Sequence, residues 1–287
     1  MISDLYKTKR PLFSIEVFPP KRDDDVQTLY QTLDALRDLS PDFISVTYGA
    51  GGSTSKKTLA IASYIQNTCH IKALTHLTCV AMEESLLKST LEEIKNQGLH
   101  NILALRGDKP WDMSDEDFVN RTYKHASDII PLIKSMSPVC VAAACYPEKH
   151  TEAPSMESDL NKLKEKVDSG VDLLITQLFF DNSRFYQFME QLHRKGIILP
   201  VSAGIMPITS LKQMETITNL SGAEIPRKLS AIINKYQKAP EDFKKASLDY
   251  ATEQIRDLIS NDVDGIHLYT MNKADVSKTI FGHCRPS

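Results

Sequence analysis

Two carboxylates that close apolar runs are the residues best suited to do chemistry in this chain. Glu16 sits inside LFSIEVF (12–18), and Asp108 follows NILALRG (101–107), ahead of Lys109 and Pro110. Side chains alternate faces along a strand, so Ser14, Glu16 and Phe18 share one face and Ile15 and Val17 the other. If Ile15 and Val17 pack under helices, Glu16 points to the interior, near the end of its strand. A carboxylate there is costly unless it is paired or protonated. Pairing would make it a structural salt bridge. A raised pKa would suit it to general acid catalysis near neutral pH. At the second site, Gly107 lets the backbone turn and Pro110 stops the strand, which leaves Arg106 and Asp108 at an exposed tip.

Other polar groups fall at matching places. Ser45 and Thr47 share a face of FISVTYGA (43–50), and His76 and Thr78 share one in KALTHLTCV (72–80). Gln177 closes the polar part of VDLLITQLFF (171–180), and His267 and Tyr269 lie in GIHLYTM (265–271). These hydrogen-bonding, mostly uncharged groups suit a large, planar, polar ligand better than a metal, which needs three or four convergent ligands. His76 and Cys79 have HxxC spacing but face opposite sides of a strand. A lone histidine on a strand is also compatible with a satisfied core residue. Asp159, Lys162 and Lys166 are spaced to line one helical face, either solvated or positioned for phosphates. There is no GxGxxG, no Walker loop and no nucleophile elbow.

The elements that must position these groups alternate. Strands are expected over 12–18, 43–50, 72–80, 101–106, 138–147, 171–180, 198–207 and 265–271. Helices are expected over 25–39, 55–66, 83–97, 121–135, 156–169, 182–195, 209–219, 226–237, 240–260 and 273–284. Eight strand–helix pairs in series predict an α/β fold, a (β/α)8 TIM barrel with extra helices before the last strand. Such barrels keep their sites at the C-terminal ends of the strands. No Pro/Gly/Ser-rich linker interrupts the 287 residues, so 1–287 reads as a single catalytic domain. An open doubly wound sheet is the alternative, and the missing glycine fingerprint counts against its dinucleotide-binding form.

A net charge of −3 offers no basic footprint for nucleic acid. No apolar run approaches the ~20 residues of a membrane span. The opening MISDLYKTKRP has no apolar secretory core. Five cysteines without a CxxC pair suggest reduced thiols and a cytoplasmic setting.

The chain resembles the methylenetetrahydrofolate reductases nearly end to end. The motifs are SIEVFPP (14–20), FISVTYGAGG (43–52), THLTC (75–79), LALRGD (103–108), AAACYPEKH (142–150), ITQLFFD (175–181), GIMPI (204–208) and LYTMN (268–272). The resemblance implies a flavoprotein barrel that uses FAD and NADH or NADPH. It would reduce 5,10-methylenetetrahydrofolate to 5-methyltetrahydrofolate in ping-pong order and feed methionine synthesis. It further implies the short bacterial form without a regulatory domain, and a homo-oligomer.

By the resemblance, Glu16 is the acid that opens the folate's five-membered ring to an iminium. Asp108 is the carboxylate beside the flavin that also meets folate. Thr47, Tyr48, Ala50, His76, Arg106, Gly107, Asp108, Ala126, Tyr146, His150, Asp159 and Lys166 match FAD contacts. Gln177, Gln213 and Lys273 match folate contacts. Lys273 stands where some members have arginine, Ile217 where some have phenylalanine and His125 where some have tyrosine. Lys162 and Glu165 replace Asn and Arg. No Rossmann acid or arginine is present to choose between NADH and NADPH.

Overall fold

In the computed structural model, which describes residues 1–8, 10–20, 22, 25–48, 52–136 and 138–285 (52–55 by backbone only), eight parallel strands close into a barrel in sequence order. They are β1 (Leu12–Val17), β2 (Phe43–Val46), β3 (Lys72–Thr78), β4 (Asn101–Leu105), β5 (Cys140–Cys145), β6 (Leu173–Thr176), β7 (Val201–Ile205) and β8 (Gly265–Tyr269). The barrel closes where β8 meets β1, with Leu12 opposite Gly265 and Glu16 opposite Tyr269. The helices are α1 (Ile2–Thr8), α2 (Val26–Arg37), α3 (Gly52–Asn67), α4 (Glu84–Asn96), α5 (Asp115–Asn120) and α6 (Ala126–Lys134), then α7 (Met156–Asp168), α8 (Asn182–Arg194), α9 (Leu211–Ser221), α10 (Arg227–Tyr236), α11 (Pro240–Ser260) and α12 (Ala274–Cys284). The expected TIM barrel and its extra helices before β8 are both present.

Alternation along each strand separates two cores. Outward residues such as Ile15, Val17, Ile44, Val46, Ile102 and Ile266 pack under the helices. Inward residues at the N-terminal end (Leu12, Phe43, Leu74, Leu103, Cys140, Leu173) form a separate apolar layer. One turn higher the inward residues become polar: Ser14, Ser45, His76 and His267.

The barrel floor is sealed by α1, an element that was not expected. Ile2 is fully buried, its N–H donates to Asn101 Oδ1 (2.9 Å), and the Tyr6 hydroxyl pairs with Ser202 Oγ (2.7 Å). A seven-residue helix with two buried residues four apart is too short to show a helical period. Three aspartates fasten the same end. Asp42, Asp172 and Asp264 precede β2, β6 and β8, and their carboxylates accept the N–H of Phe13 (2.7 Å), Val141 (2.7 Å) and Val201 (2.8 Å) on the neighbouring strands.

Several expected boundaries shift, the strand over 43–50 ending at Val46 and that over 198–207 shrinking to Val201–Ile205 among them, and two of the shifts have a visible cause. The helix expected over 121–135 begins only at Ala126, because Asp128 Oδ2 accepts the N–H of Lys124 (2.7 Å) and His125 (2.9 Å) and fixes the start there. The short helix α5, capped by Ser114, precedes it. The strand expected over 171–180 stops at Thr176. Leu178 and Phe180 then pack with Met206, Met214, Leu229 and Phe243, and Tyr250 donates to the Phe180 carbonyl (2.5 Å).

Candidate active site

The C-terminal mouth is built around Glu16. Its Oε2 lies 3.5 Å from His76 Nε2, 3.6 Å from His267 Nε2 and 3.4 Å from Ser45 Oγ. Those groups come from β3, β8 and β2, so three strands converge on one oxygen. Oε1 has no hydrogen-bond partner among the described residues. The side chain keeps 21% of its surface exposed, toward the mouth. Glu16 therefore does point into the barrel at its open end, as alternation predicts.

The direction of its pKa corrects the expectation of a raised value. Burial pushes the carboxyl up. The nearby His267 imidazole, the charge of His76 and the Ser45 hydroxyl together hold it below the ordinary value. Burial takes His76 itself down to about 4, so His76 is neutral at neutral pH and its share of that pull is then absent. The remaining carboxylate-stabilising partners are His267, fully buried beneath the carboxylate, and the Ser45 hydroxyl.

The neighbouring strand ends are braced by backbone devices. Gly107 has φ +84°, and a Cβ there would meet Thr78 Cβ and Val80 Cγ1 at 2.9 Å. Only glycine suits that turn, which leaves Asp108 exposed without a hydrogen bond among the described residues. A Cβ on Gly204 would lie 2.7 Å from the Tyr269 ring, whose hydroxyl donates to the Thr176 carbonyl (2.8 Å). Asn272, which the sequence reading did not single out, is left-handed at φ 57°. Its side chain accepts the Phe18 N–H (3.0 Å) and donates to the Phe18 carbonyl (2.9 Å), tying the end of β1 to the loop after β8.

A cleft of ≈ 350 Å³, which Glu16 does not line, opens between the ends of β4 and β5 and the helices α6 and α7. Arg106, Ala126, Tyr146, His150, Asp159 and Lys166 all line it, so six of the expected cofactor contacts come together. Lys162 and Glu165 line it too. Thr47, Tyr48, His76, Gly107 and Asp108 lie outside its lining, and Ala50 falls outside the described residues.

Within the cleft, Lys166 Nζ donates to the Ala144 carbonyl (2.6 Å), and burial lowers its pKa. Asp159 Oδ2 accepts the His150 N–H (2.9 Å), and the rings of Tyr146 and His150 meet edge to face at 4.7 Å. Burial raises the Tyr146 phenol to about 12, so it stays a hydrogen-bond donor. Arg106 is held by Glu152 in a two-pronged pair, Nη1–Oε2 2.5 Å and Nη2–Oε1 2.9 Å. No motif flagged Glu152. The only sequence cue is its opposite charge in the loop that faces Arg106.

Two of the expected folate contacts, Gln213 and Lys273, meet through Thr209. Lys273 Nζ donates to Thr209 Oγ1 (2.7 Å), and the Thr209 hydroxyl and N–H donate to Gln213 Oε1 (2.8 and 2.9 Å). Gln177 lies on the next loop, its N–H bonded to the Cys145 carbonyl (2.7 Å). Ile217 packs into the cluster around Met206 and Ile208. Among the described residues, no group of three His, Cys, Asp or Glu is placed to hold a metal ion, and no helix is long and apolar enough to cross a membrane.

Comparison with known proteins shows the family of the chain. The family model described as "Methylenetetrahydrofolate reductase" matches residues 1–284. The chain is 36% identical over 281 residues to "Methylenetetrahydrofolate reductase (NADH) 1" of Arabidopsis thaliana, covering 94% of this chain and 47% of that one. It thus spans about half the length of the plant relatives it matches. It is 32% identical over 267 residues to "5,10-methylenetetrahydrofolate reductase" of Escherichia coli, covering 93% of this chain and 88% of that one. Among solved structures, a Clostridium thermocellum protein titled as binding two copies of 5-methyl-5,6,7,8-tetrahydrofolic acid shares the fold, with TM-score 0.68, 12% identity and coverage of 99% and 97%.

Proposed function

Since the chain belongs to the methylenetetrahydrofolate reductase family, we propose that it reduces 5,10-methylenetetrahydrofolate to 5-methyltetrahydrofolate, with NADH or NADPH as donor and FAD as cofactor. The observation that carries this reading is the placement of Glu16. Groups from three strands converge on its Oε2 at the open end of the barrel, and its Oε1 has no hydrogen-bond partner among the described residues.

The cleft fits a dinucleotide on its own terms. Arg106, Lys162 and Lys166 supply positive charge, the start of α6 at Ala126 presents backbone N–H groups, and Tyr146 and Asp159 supply a donor and an acceptor. His76 Nε2 is buried, without a hydrogen-bond partner among the described residues, and 3.5 Å from Glu16 Oε2. A polar ligand edge at the mouth would relieve it. Thr47, Tyr48, His76, Arg106, Gly107, Asp108, Ala126, Tyr146, His150, Asp159 and Lys166 would hold FAD, with Ala50 added from the family pattern. When bound, FAD supplies the two-electron relay between nicotinamide and folate, in ping-pong order.

Glu16 gives its proton to a ring nitrogen of the folate, and the five-membered ring opens to a cationic iminium that is ready for hydride. Asp108 favours that cation by charge. Gln177, Gln213 and Lys273 orient the folate. Lys273 offers a point charge rather than a planar fork, so it constrains a carboxylate less than arginine would. We further propose that 1–287 works as one catalytic unit, in the cytoplasm and as a homo-oligomer. Its product would serve methionine synthesis. The NADH-named plant relatives support a nicotinamide donor.

The test is turnover by the purified, flavin-loaded protein. The expected result is oxidation of NADH or NADPH that depends on methylenetetrahydrofolate and yields an equal amount of 5-methyltetrahydrofolate. Binding of the folate without turnover would replace this reading with a folate-binding role.

A further inference from the structure

Beneath Glu16, His267 and Ser14 form a buried polar column that the roles above leave unused. His267 and Ser14 are both fully buried. Ser14 Oγ is 2.7 Å from His267 Nδ1 and donates to the Ile266 carbonyl at 3.1 Å. A hydroxyl has one hydrogen. Both contacts are satisfied together only if that hydrogen goes to the Ile266 carbonyl and Nδ1 carries its own. The tautomer is thereby fixed with Nδ1–H, and Nε2 becomes the exchangeable position. Nε2 faces Glu16 Oε2 at 3.6 Å and Ser45 Oγ at 3.2 Å.

The other groups around the imidazole are Phe43, stacked at 5.8 Å, and Tyr269, edge-on at 5.2 Å. Tyr269 stays protonated, because burial raises its pKa well above the ordinary value. His76 faces the same carboxylate oxygen from β3 and is neutral at neutral pH. Glu16 and His267 are thus the pair across which one proton can move. Stacking a planar ligand over Glu16 removes water from the mouth and favours the neutral pair, carboxylic acid with imidazole.

We infer that His267 is a positioning residue that stores the catalytic proton and returns it to Glu16 when ligand covers the mouth. The transfer balances: Nε2–H gives its proton to Oε2, leaving neutral imidazole with Nδ1–H and a neutral carboxyl. The carboxyl then passes one proton to the folate nitrogen, and solvent refills the pair through the exposed side of Glu16. This inference rests on the reaction proposed above.

The first test needs no substitution in the protein under study. In the 15N-histidine spectrum of the flavin-loaded wild type, with His267→Gln used only to assign the signal, His267 is expected to carry hydrogen on Nδ1 throughout. Saturation with 5-methyltetrahydrofolate is expected to remove hydrogen from Nε2. An unprotonated Nδ1, or an Nε2 indifferent to the folate, overturns the inference. The second test is Ser14→Ala, a smaller side chain on the same strand. Folate-driven flavin reoxidation is expected to slow roughly 10- to 100-fold, in line with losing the partner that orients a metal-bound imidazole, and its pH profile is expected to shift. Flavin reduction by nicotinamide is expected to hold within about twofold. Equal loss in both half-reactions with an unmoved pH profile contradicts the inference. A wild type that neither binds nor turns over the folate overturns the reaction assignment and this inference together. A wild type that turns over while His267 behaves otherwise overturns the inference alone.

Discussion

The two ends of this barrel are made from the same eight strands and do opposite things with their inward residues. At the N-terminal end Leu12, Phe43, Leu74, Leu103 and Leu173 fill the interior, α1 covers them, and three aspartates staple neighbouring strands. At the C-terminal end the inward positions turn to Ser14, Glu16, Ser45, His76 and His267, and the loops open into a cleft. Four residues along β1 separate an apolar inward position from a titratable one, with a serine between them, as Leu12, Ser14 and Glu16 show. A barrel can therefore hold stability and chemistry on the same strands without mixing them.

Substitutions at the two ends should therefore fail in different currencies. The largest effect is expected for Glu16→Gln. Folate-driven reoxidation should fall on the order of 10²–10⁴-fold, the usual range for a positioned acid. Flavin reduction by nicotinamide and the unfolding free energy should stay near wild type. Stopped-flow rates beside denaturant melts check this, and parallel loss of both half-reactions would remove Glu16 from the acid role. At the other end, Leu173→Ala removes a fully buried side chain and should cost about 2–5 kcal/mol of stability. The rate per folded, flavin-loaded molecule should stay near wild type. A selective loss of rate there would break the division between the ends.

Acid should destabilise the protein from the mouth. His76 is held at about 4 in the folded state against an ordinary 6.5, so the unfolded chain binds more protons between those values. Stability contributed by keeping His76 neutral is full above about pH 6.5 and is lost as pH falls toward 4, by roughly 3 kcal/mol at most. Glu16, lowered in the fold, acts in the same direction, since its stabilisation disappears as pH falls through its folded value. Melts across this window should show the slope, and His76→Gln should flatten it. The smallest effect belongs to the cleft. Glu152 is 61% exposed and pairs with the Arg106 that a dinucleotide would use. Glu152→Gln should tighten flavin binding by up to roughly fivefold, as befits an exposed ion pair of about 1 kcal/mol or less. Weaker flavin binding would show that Glu152 supports Arg106 instead of competing for it.

The outline of the barrel was legible because each buried strand and amphipathic helix carries its own period. Glu16 stood out for the same reason, as a charge in an apolar run. What escaped was set by partners distant in sequence. Helix α1 gains its burial only from the barrel floor. The direction of the Glu16 pKa depends on His267, some 250 residues away, and on the Ser45 hydroxyl. Asn272 became visible only when its left-handed turn met Phe18 across the closing seam. Asp172 shows the converse. Its position just before a strand is a readable cue, and its work is to accept the Val141 N–H across β5 and β6.

The most direct measurement is anaerobic stopped-flow on the flavin-loaded wild type. It is mixed with NADH, and separately with NADPH, and then with methylenetetrahydrofolate. The account predicts bleaching of the flavin by one nicotinamide, followed by recovery driven by the folate in the absence of oxygen. Bleaching that recovers only on admitting oxygen would contradict it, leaving a flavin oxidoreductase whose acceptor is not this folate.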